Sequence, residues 1–165
     1  MGDEARYRRV SNDLLQRFGT GASLRNAREA VWTSVLRPDA VPDPSQSVRI
    51  AEKLVTQEPK VAFYLLSLGA ALYRAGRFEE AIQRLNASIA ARNDDGVYGD
   101  WLFLAMAHHR LGHAAEARQW LDKTLQWEAK KADAVPVRWN DRMELQFLRR
   151  EAQELIEGKA AEPKK

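Results

Sequence analysis

The strongest constraint on this chain is a segment built as an apolar helix, a glycine turn and a second apolar helix, which occurs twice. In the first copy Leu65, Leu68 and Leu72 recur at the spacing of one helical face, and Gly76 follows where a helix end favours glycine. The apolar pattern then resumes at Ala81, Ile82, Leu85 and Ile89. This order of signals predicts a helical hairpin.

The second copy places Gly112 on Gly76, 36 residues further along the chain. The other matched pairs are Leu68 with Leu104, Gly69 with Ala105, Arg74 with Arg110, Ala81 with Ala117, and Leu85 with Leu121. Self-similarity at such a period predicts an array of helical hairpins. Because Gly69 and Ala81 are small, we expect the two helices of the first hairpin to approach closely there.

Both copies resemble the tetratricopeptide repeat in the placement of their large, small and aromatic positions. The matching residues are Leu65, Leu68, Gly69, Leu72, Ala81, Leu85 and Ser88 in one copy, and Trp101, Leu104, Ala105, His108, Ala117, Leu121 and Thr124 in the other. The usual aromatic position holds Leu72 and His108, and the usual final proline is missing from both copies. The resemblance implies an all-α, right-handed solenoid of helical hairpins in which the first helices line a concave groove.

We expect one domain over residues 1–157, with about eight helices and a capping helix at each end of the array. Two helix starts are predicted from capping residues, one at Ser45 or Ser47 and one with Asp100 as N-cap. The predicted parts are a degenerate repeat at 24–59, repeats at 62–95 and 98–131, a capping helix at 139–157, and a disordered tail at 158–165.

Composition excludes several classes of protein. The absence of cysteine excludes disulfide frameworks, thiol catalysis and cysteine-ligated metals. The net charge of +3 is small and the two signs are interspersed, so no basic stripe for a nucleic-acid duplex is apparent. A charged beginning and the lack of any long apolar run predict no signal peptide and no membrane span. We therefore expect a soluble, cytoplasmic protein.

The three histidines invite a hypothesis of catalysis or metal binding, as the acidic pairs Glu79–Glu80 and Asp94–Asp95 do more weakly. His109 and His113 have the spacing of one helical face, but Gly112 interrupts the helix between them, and no third ligand has suitable spacing. His108 falls on the aromatic position of the repeat and is interpreted as a packing residue. Because phosphate loops, nucleophile elbows and dinucleotide fingerprints are also absent, the sequence predicts no enzyme, metal or cofactor.

The resemblance implies which residues face the groove. Carried over position by position, the peptide-binding residues are Phe63, Leu66, Tyr73, Arg74, Met106, His109 and Arg110, with the small or apolar Ala70, Gly99 and Leu102 between them. A partly aromatic trough edged by arginines suits an amphipathic helix or an extended peptide with one or two carboxylates. The sequence thus predicts a non-catalytic scaffold that binds a partner protein.

Three alternatives stay open. The amino-acid sequences of both copies are similar to tetratricopeptide tails of large bacterial proteins, notably of planctomycetes, that carry serine/threonine kinase or WD-repeat domains. A self-association or spacer module of such a signalling protein is therefore one alternative. Nucleic-acid binding through the five tryptophans is another, although their helical spacing favours packing. An enzyme built around the histidines is the third.

Overall fold

The computed structural model describes residues 2–18, 23–93, 95–131 and 139–158. Within those ranges it contains helices and no strand, so the predicted all-α fold built from helical hairpins is confirmed. The helices are α1 (Gly2–Phe18), α2 (Leu24–Val35), α3 (Pro44–Gln57), α4 (Ala62–Arg74), α5 (Phe78–Arg92), α6 (Tyr98–Arg110), α7 (Ala114–Lys131) and α8 (Trp139–Ile156). In these ranges no helix has both the length and the apolar character needed to cross a membrane. The tail predicted to be disordered lies, from residue 159 on, outside the described residues.

The helices form two compact units. Unit 1 spans residues 1–96 and contains α1 to α5, whereas unit 2 spans residues 97–165 and contains α6 to α8. In unit 1, α2 contacts α1, α3 and α4, and α4 also contacts α3 and α5. In unit 2, the three helices contact one another. A single domain over residues 1–157 stays a prediction.

A glycine in the left-handed region closes the turn of the α4–α5 hairpin. Gly76 has a φ of 77°, and its N–H donates to the carbonyl of Tyr73 at 3.0 Å. The N–H of Arg77 donates to the carbonyl of Leu72, also at 3.0 Å. This pair of hydrogen bonds is the Schellman motif, which satisfies carbonyls at the end of α4 while reversing the chain.

The α6–α7 hairpin of unit 2 ends its first helix in the same way. Gly112 has a φ of 79°, and its N–H donates to the carbonyl of His109 at 3.0 Å. The N–H of His113 donates to the carbonyl of His108 at 2.9 Å. The predicted turn residues Gly76 and Gly112 therefore have the same structural role.

Close contact between α4 and α5 depends on Gly69. A β-carbon built at Gly69 would lie 2.6 Å from Cγ and 2.8 Å from Cδ2 of Leu85, which is completely buried. At the other end of the hairpin, the Ser88 hydroxyl donates to the carbonyl of Ala62 at 3.0 Å. The predicted close approach at Gly69 is thus present.

Two helix starts differ from the sequence-based prediction. Helix α3 begins at Pro44, which occupies the first helical turn where its missing N–H is harmless, and Asp43 caps it by accepting from the N–H of Ser45 at 3.0 Å. Helix α6 begins at Tyr98, so Asp100 is the third helical residue and not the N-cap. The buried Asp100 carboxylate instead reaches back to accept from the N–H of Val97 at 3.0 Å.

We expect Gly69→Ala to lower the free energy of unfolding by up to about 2 kcal/mol. Alanine in a helix interior would by itself stabilise by about 1 kcal/mol, but overpacking against a buried Leu85 costs about 1–3 kcal/mol. Urea unfolding of the single variants and of Gly69→Ala combined with Leu85→Ala tests this prediction. In the Leu85→Ala background the added alanine should be neutral or stabilising, and the same loss in both backgrounds would contradict the steric explanation.

At Gly76 the expected effect comes from the backbone alone. No heavy atom lies within 4 Å of a β-carbon built there, whereas the φ of 77° disfavours most side chains. We expect Gly76→Ala to destabilise by about 1–2 kcal/mol and Gly76→Asn by less, because asparagine tolerates the left-handed region better. Equal losses in thermal unfolding for the two variants would contradict this explanation.

Candidate binding surface

Most of α4 is enclosed, which removes several predicted groove residues from the surface. All ten residues from Tyr64 to Tyr73 are buried, because α2, α3 and α5 contact this helix. Leu66 is 1% exposed and Tyr73 is 5% exposed. In unit 2, Met106 on α6 is 0% exposed. Each of these three side chains therefore offers a partner almost no surface within its own unit.

Phe63 is the exception on α4, because its side chain is 46% exposed. Two guanidinium groups flank the ring: the Cζ of Arg28 on α2 lies 5.1 Å from the ring centroid, and the Cζ of Arg92 on α5 lies 4.6 Å from it. Both distances allow cation–π attraction. We call Phe63, Arg28 and Arg92 the Phe63 patch. Its exposed aromatic ring comes from α4, and its two positive charges come from α2 and α5.

Sequence reasoning identified Phe63 but missed its two arginines. Arg92 occupies the last position of α5, and the antiparallel hairpin returns this position to the start of α4. Arg28 lies on the first helix of the degenerate repeat, where the sequence pattern assigned no groove positions. The position of Arg92 could have been predicted, because in an antiparallel hairpin the end of the second helix lies beside the start of the first.

Arg74 has a structural contact that the sequence did not indicate. Its Nε donates to the carbonyl of Val35, the last residue of α2, at 2.7 Å. The last carbonyls of a helix have no partner within the helix, and a cation near them is favourable. Arg74 therefore ties the end of α4 to the end of α2 within unit 1.

The other predicted groove residues lie at the end of α6. Arg110 is exposed and His109 is half-buried. The structure brings His108 and His113 together across the turn, with their Nδ1 atoms 3.2 Å apart and their ring centroids 5.5 Å apart. We call these two residues the histidine pair. The sequence spacing had drawn attention to His109 with His113, a pairing that the helix break at Gly112 was expected to prevent.

The pKa of His108 is shifted below its usual value. Partial burial is the main cause, since it disfavours the charged imidazolium, and the neighbouring His113 adds to the effect. Glu116 opposes the shift with its negative charge. His108 therefore resists protonation more than a solvated histidine does.

Two further hypotheses concern a metal site with three or more ligands and a surface of tryptophans for nucleic-acid bases. Within the described ranges, no group of three or more histidine, aspartate or glutamate side chains is arranged to hold a metal ion. Trp32 and Trp101 are buried, and Trp101 packs edge-on against Trp127 at 5.9 Å. These tryptophans are placed for packing, as their spacing predicted, and the two buried rings have no face open to a nucleic-acid base.

A family comparison matches both hairpins. The family model for the tetratricopeptide repeat matches residues 62–87 and 101–123. The two matches support a tetratricopeptide repeat domain. Tetratricopeptide repeats are non-catalytic and generally mediate protein–protein interaction. Comparisons with curated proteins and with solved structures gave no match.

The lowered pKa of His108 predicts a stability that depends on pH. Because its pKa is lower in the folded than in the unfolded chain, the unfolded chain binds the proton first as the pH falls through about 6.5. Stability should therefore decrease from neutral to mildly acidic pH. The test compares the urea midpoints of the wild type and of His108→Gln in metal-free buffer at about pH 7.5 and 5.5. The urea midpoint of the variant should fall less between these pH values than that of the wild type. An equal loss in both proteins would contradict the role of His108.

Proposed function

We propose that this chain is a non-catalytic protein-binding module whose partner contacts the Phe63 patch. The observation that carries the proposal is an exposed phenylalanine flanked by Arg28 and Arg92 on an otherwise enclosed helix. Aromatic and arginine side chains are enriched where proteins bind one another. An exposed ring on a helix that buries ten consecutive residues is not needed for the core of unit 1.

The chemistry of the patch indicates the class of partner. A peptide or helix from another protein can place an apolar side chain against the Phe63 ring and a carboxylate beside the guanidinium of Arg28, whose side chain is 21% exposed. Within α2, Arg28 pairs with the carboxylate of Glu29, the kind of group that the proposed partner would offer. The proposed partner segment is therefore apolar and acidic, as the sequence-based hypothesis of an amphipathic helix or extended peptide with carboxylates requires.

The end of α6 provides a second proposed contact region, in unit 2. The Arg110 side chain is exposed and makes no hydrogen bond or ion pair within the described part of the chain, and His109 beside it is half-buried. At the aligned position in unit 1, the Arg74 side chain donates a hydrogen bond to the carbonyl of Val35. This difference supports Arg110, more than Arg74, as a residue that binds a partner.

The broader setting is also part of the proposal. Similarity to tetratricopeptide tails of bacterial kinase and WD-repeat proteins suggests an interaction module of a larger cytoplasmic signalling protein. In that setting the chain binds a protein segment and needs no cofactor. Self-association and nucleic-acid binding are retained as outcomes of the experiment below.

We expect Phe63→Ala to reduce partner binding by about tenfold or more, because central aromatic contacts commonly carry the largest share of interface energy. The measurement is quantitative capture from a lysate of the source organism, followed by titration of the captured protein. Phe147→Ala is a matched control, since Phe147 is also exposed, at 37%, but lies on α8. Circular dichroism must show that both variants keep their helix content.

The outcomes of this experiment separate the alternatives. Loss of a protein with Phe63→Ala but not with Phe147→Ala supports the Phe63 patch. Equal retention by both variants contradicts it and moves the interaction elsewhere. Concentration-dependent dimers in light scattering indicate self-association, and salt-sensitive capture of nucleic acid indicates the third alternative.

A further inference from the structure

We infer that the histidine pair, His108 and His113, is a binding site for one divalent transition-metal ion such as Zn²⁺. The site is separate from the Phe63 patch and adjoins the proposed contact region at the end of α6. It rests on the geometry of the turn between α6 and α7, which brings two imidazole nitrogens together.

The backbone holds the two rings in position. The Schellman motif joins the N–H of His113 to the carbonyl of His108 at 2.9 Å, so the α-carbons of both residues belong to one closed turn. In this motif the residue three positions before the C-cap, which is Leu111 here, lies beside the second residue after the C-cap, and their side chains commonly touch. His108 and His113 occupy those two positions. A turn that is already fixed lowers the entropy that a chelating pair must lose on binding.

The distance between the nitrogens fits a shared metal ion. The Nδ1 atoms are 3.2 Å apart. Two imidazole nitrogens that bind one tetrahedral Zn²⁺ at about 2.0–2.1 Å are separated by about 3.3 Å. The N–N separation therefore already matches that of a shared ion, and the rings must turn so that both lone pairs point to it.

The protonation change required for binding is small. With both rings neutral, a 3.2 Å contact between two Nδ1 atoms has one nitrogen donating its proton and the other accepting. For both lone pairs to reach a metal ion, the donating ring must carry its proton on Nε2 instead. This is a change of tautomer, in which no net proton is released and no oxidation occurs.

The surroundings leave room for the ion's remaining ligands. His113 is exposed and His108 is half-buried, so water can complete the coordination. Glu116 lies close enough for its charge to act on His108, which adds attraction for a cation. Imidazole ligands favour Zn²⁺, Cu²⁺ and Ni²⁺ over Mg²⁺ and Ca²⁺. A site with two protein ligands should be weaker than a structural zinc site, and reversible.

The third histidine supplies a matched control. His109 follows His108 directly, yet its side chain points to a different side of α6, because successive helical residues are about 100° apart. Replacing His109 removes one imidazole from the same helix end without touching the pair. The variants His108→Gln and His113→Gln each break the pair, whereas His109→Gln leaves it intact.

The experiment is isothermal titration of ZnCl₂ into the full chain, prepared without an affinity tag, at neutral pH. We expect one bound ion in the wild type, an affinity within about threefold of it in His109→Gln, and a loss of about tenfold or more in His113→Gln and His108→Gln. Because His113 is exposed, its variant should fold normally, as circular dichroism would show. Titration of MgCl₂ should give no heat of binding.

Three results would overturn the inference. One is the absence of zinc binding in the wild type up to millimolar metal. Another is binding that survives in His113→Gln, which would assign the ion to other ligands. The third is a loss in His109→Gln equal to the loss in His113→Gln, which would show that the pair is not the site.

Discussion

The fold of both hairpins depends on a helix end that cannot continue. Gly76 and Gly112 take φ values of 77° and 79°, which reverse the chain and allow the two Schellman hydrogen bonds to satisfy carbonyls at the end of the preceding helix. The second helix must then run back along the first. In unit 1 the absence of a side chain at Gly69 allows α5 to approach until Leu85 fills the space. The two glycines of unit 1 thus have different effects: Gly76 sets the direction of α5, and Gly69 sets its distance from α4.

Much of this architecture was predictable because its signals are local. Periodic apolar residues and a glycine at a helix end require no knowledge of distant contacts, and both hairpins follow from them. Helix starts were less predictable because several residues compete for the cap. Asp43 caps α3 where Ser45 or Ser47 was expected, since Pro44 already fits the first turn. Asp100 has a capping contact, but from inside the helix.

The surface was harder to predict than the fold, although one signal was present. Between Ala62 and Tyr73 the sequence has no charged residue, and a helix that is apolar on all sides is enclosed by its neighbours. That pattern argues against an open face at Leu66, and positions carried over from the repeat pattern could not show it. The arginines beside Phe63 come from helices that lie far from it in sequence. Neither periodicity nor repeat spacing specifies which long side chain reaches which ring.

The histidines show how a turn changes the rule for which side chains meet. On a continuous helix, residues four apart share a face, which would bring His109 to His113. Beyond a left-handed glycine the geometry is different, because the hydrogen bond that closes a Schellman motif links residues five apart, here His108 and His113. The corresponding residues of unit 1 are Leu72 and Arg77, which offer no pair of metal ligands. The two hairpins therefore share the backbone geometry of their turn but carry different side chains on it. Repeat similarity predicts at which two positions a pair of ligands can meet, whereas the residue types at those positions decide whether a pair forms.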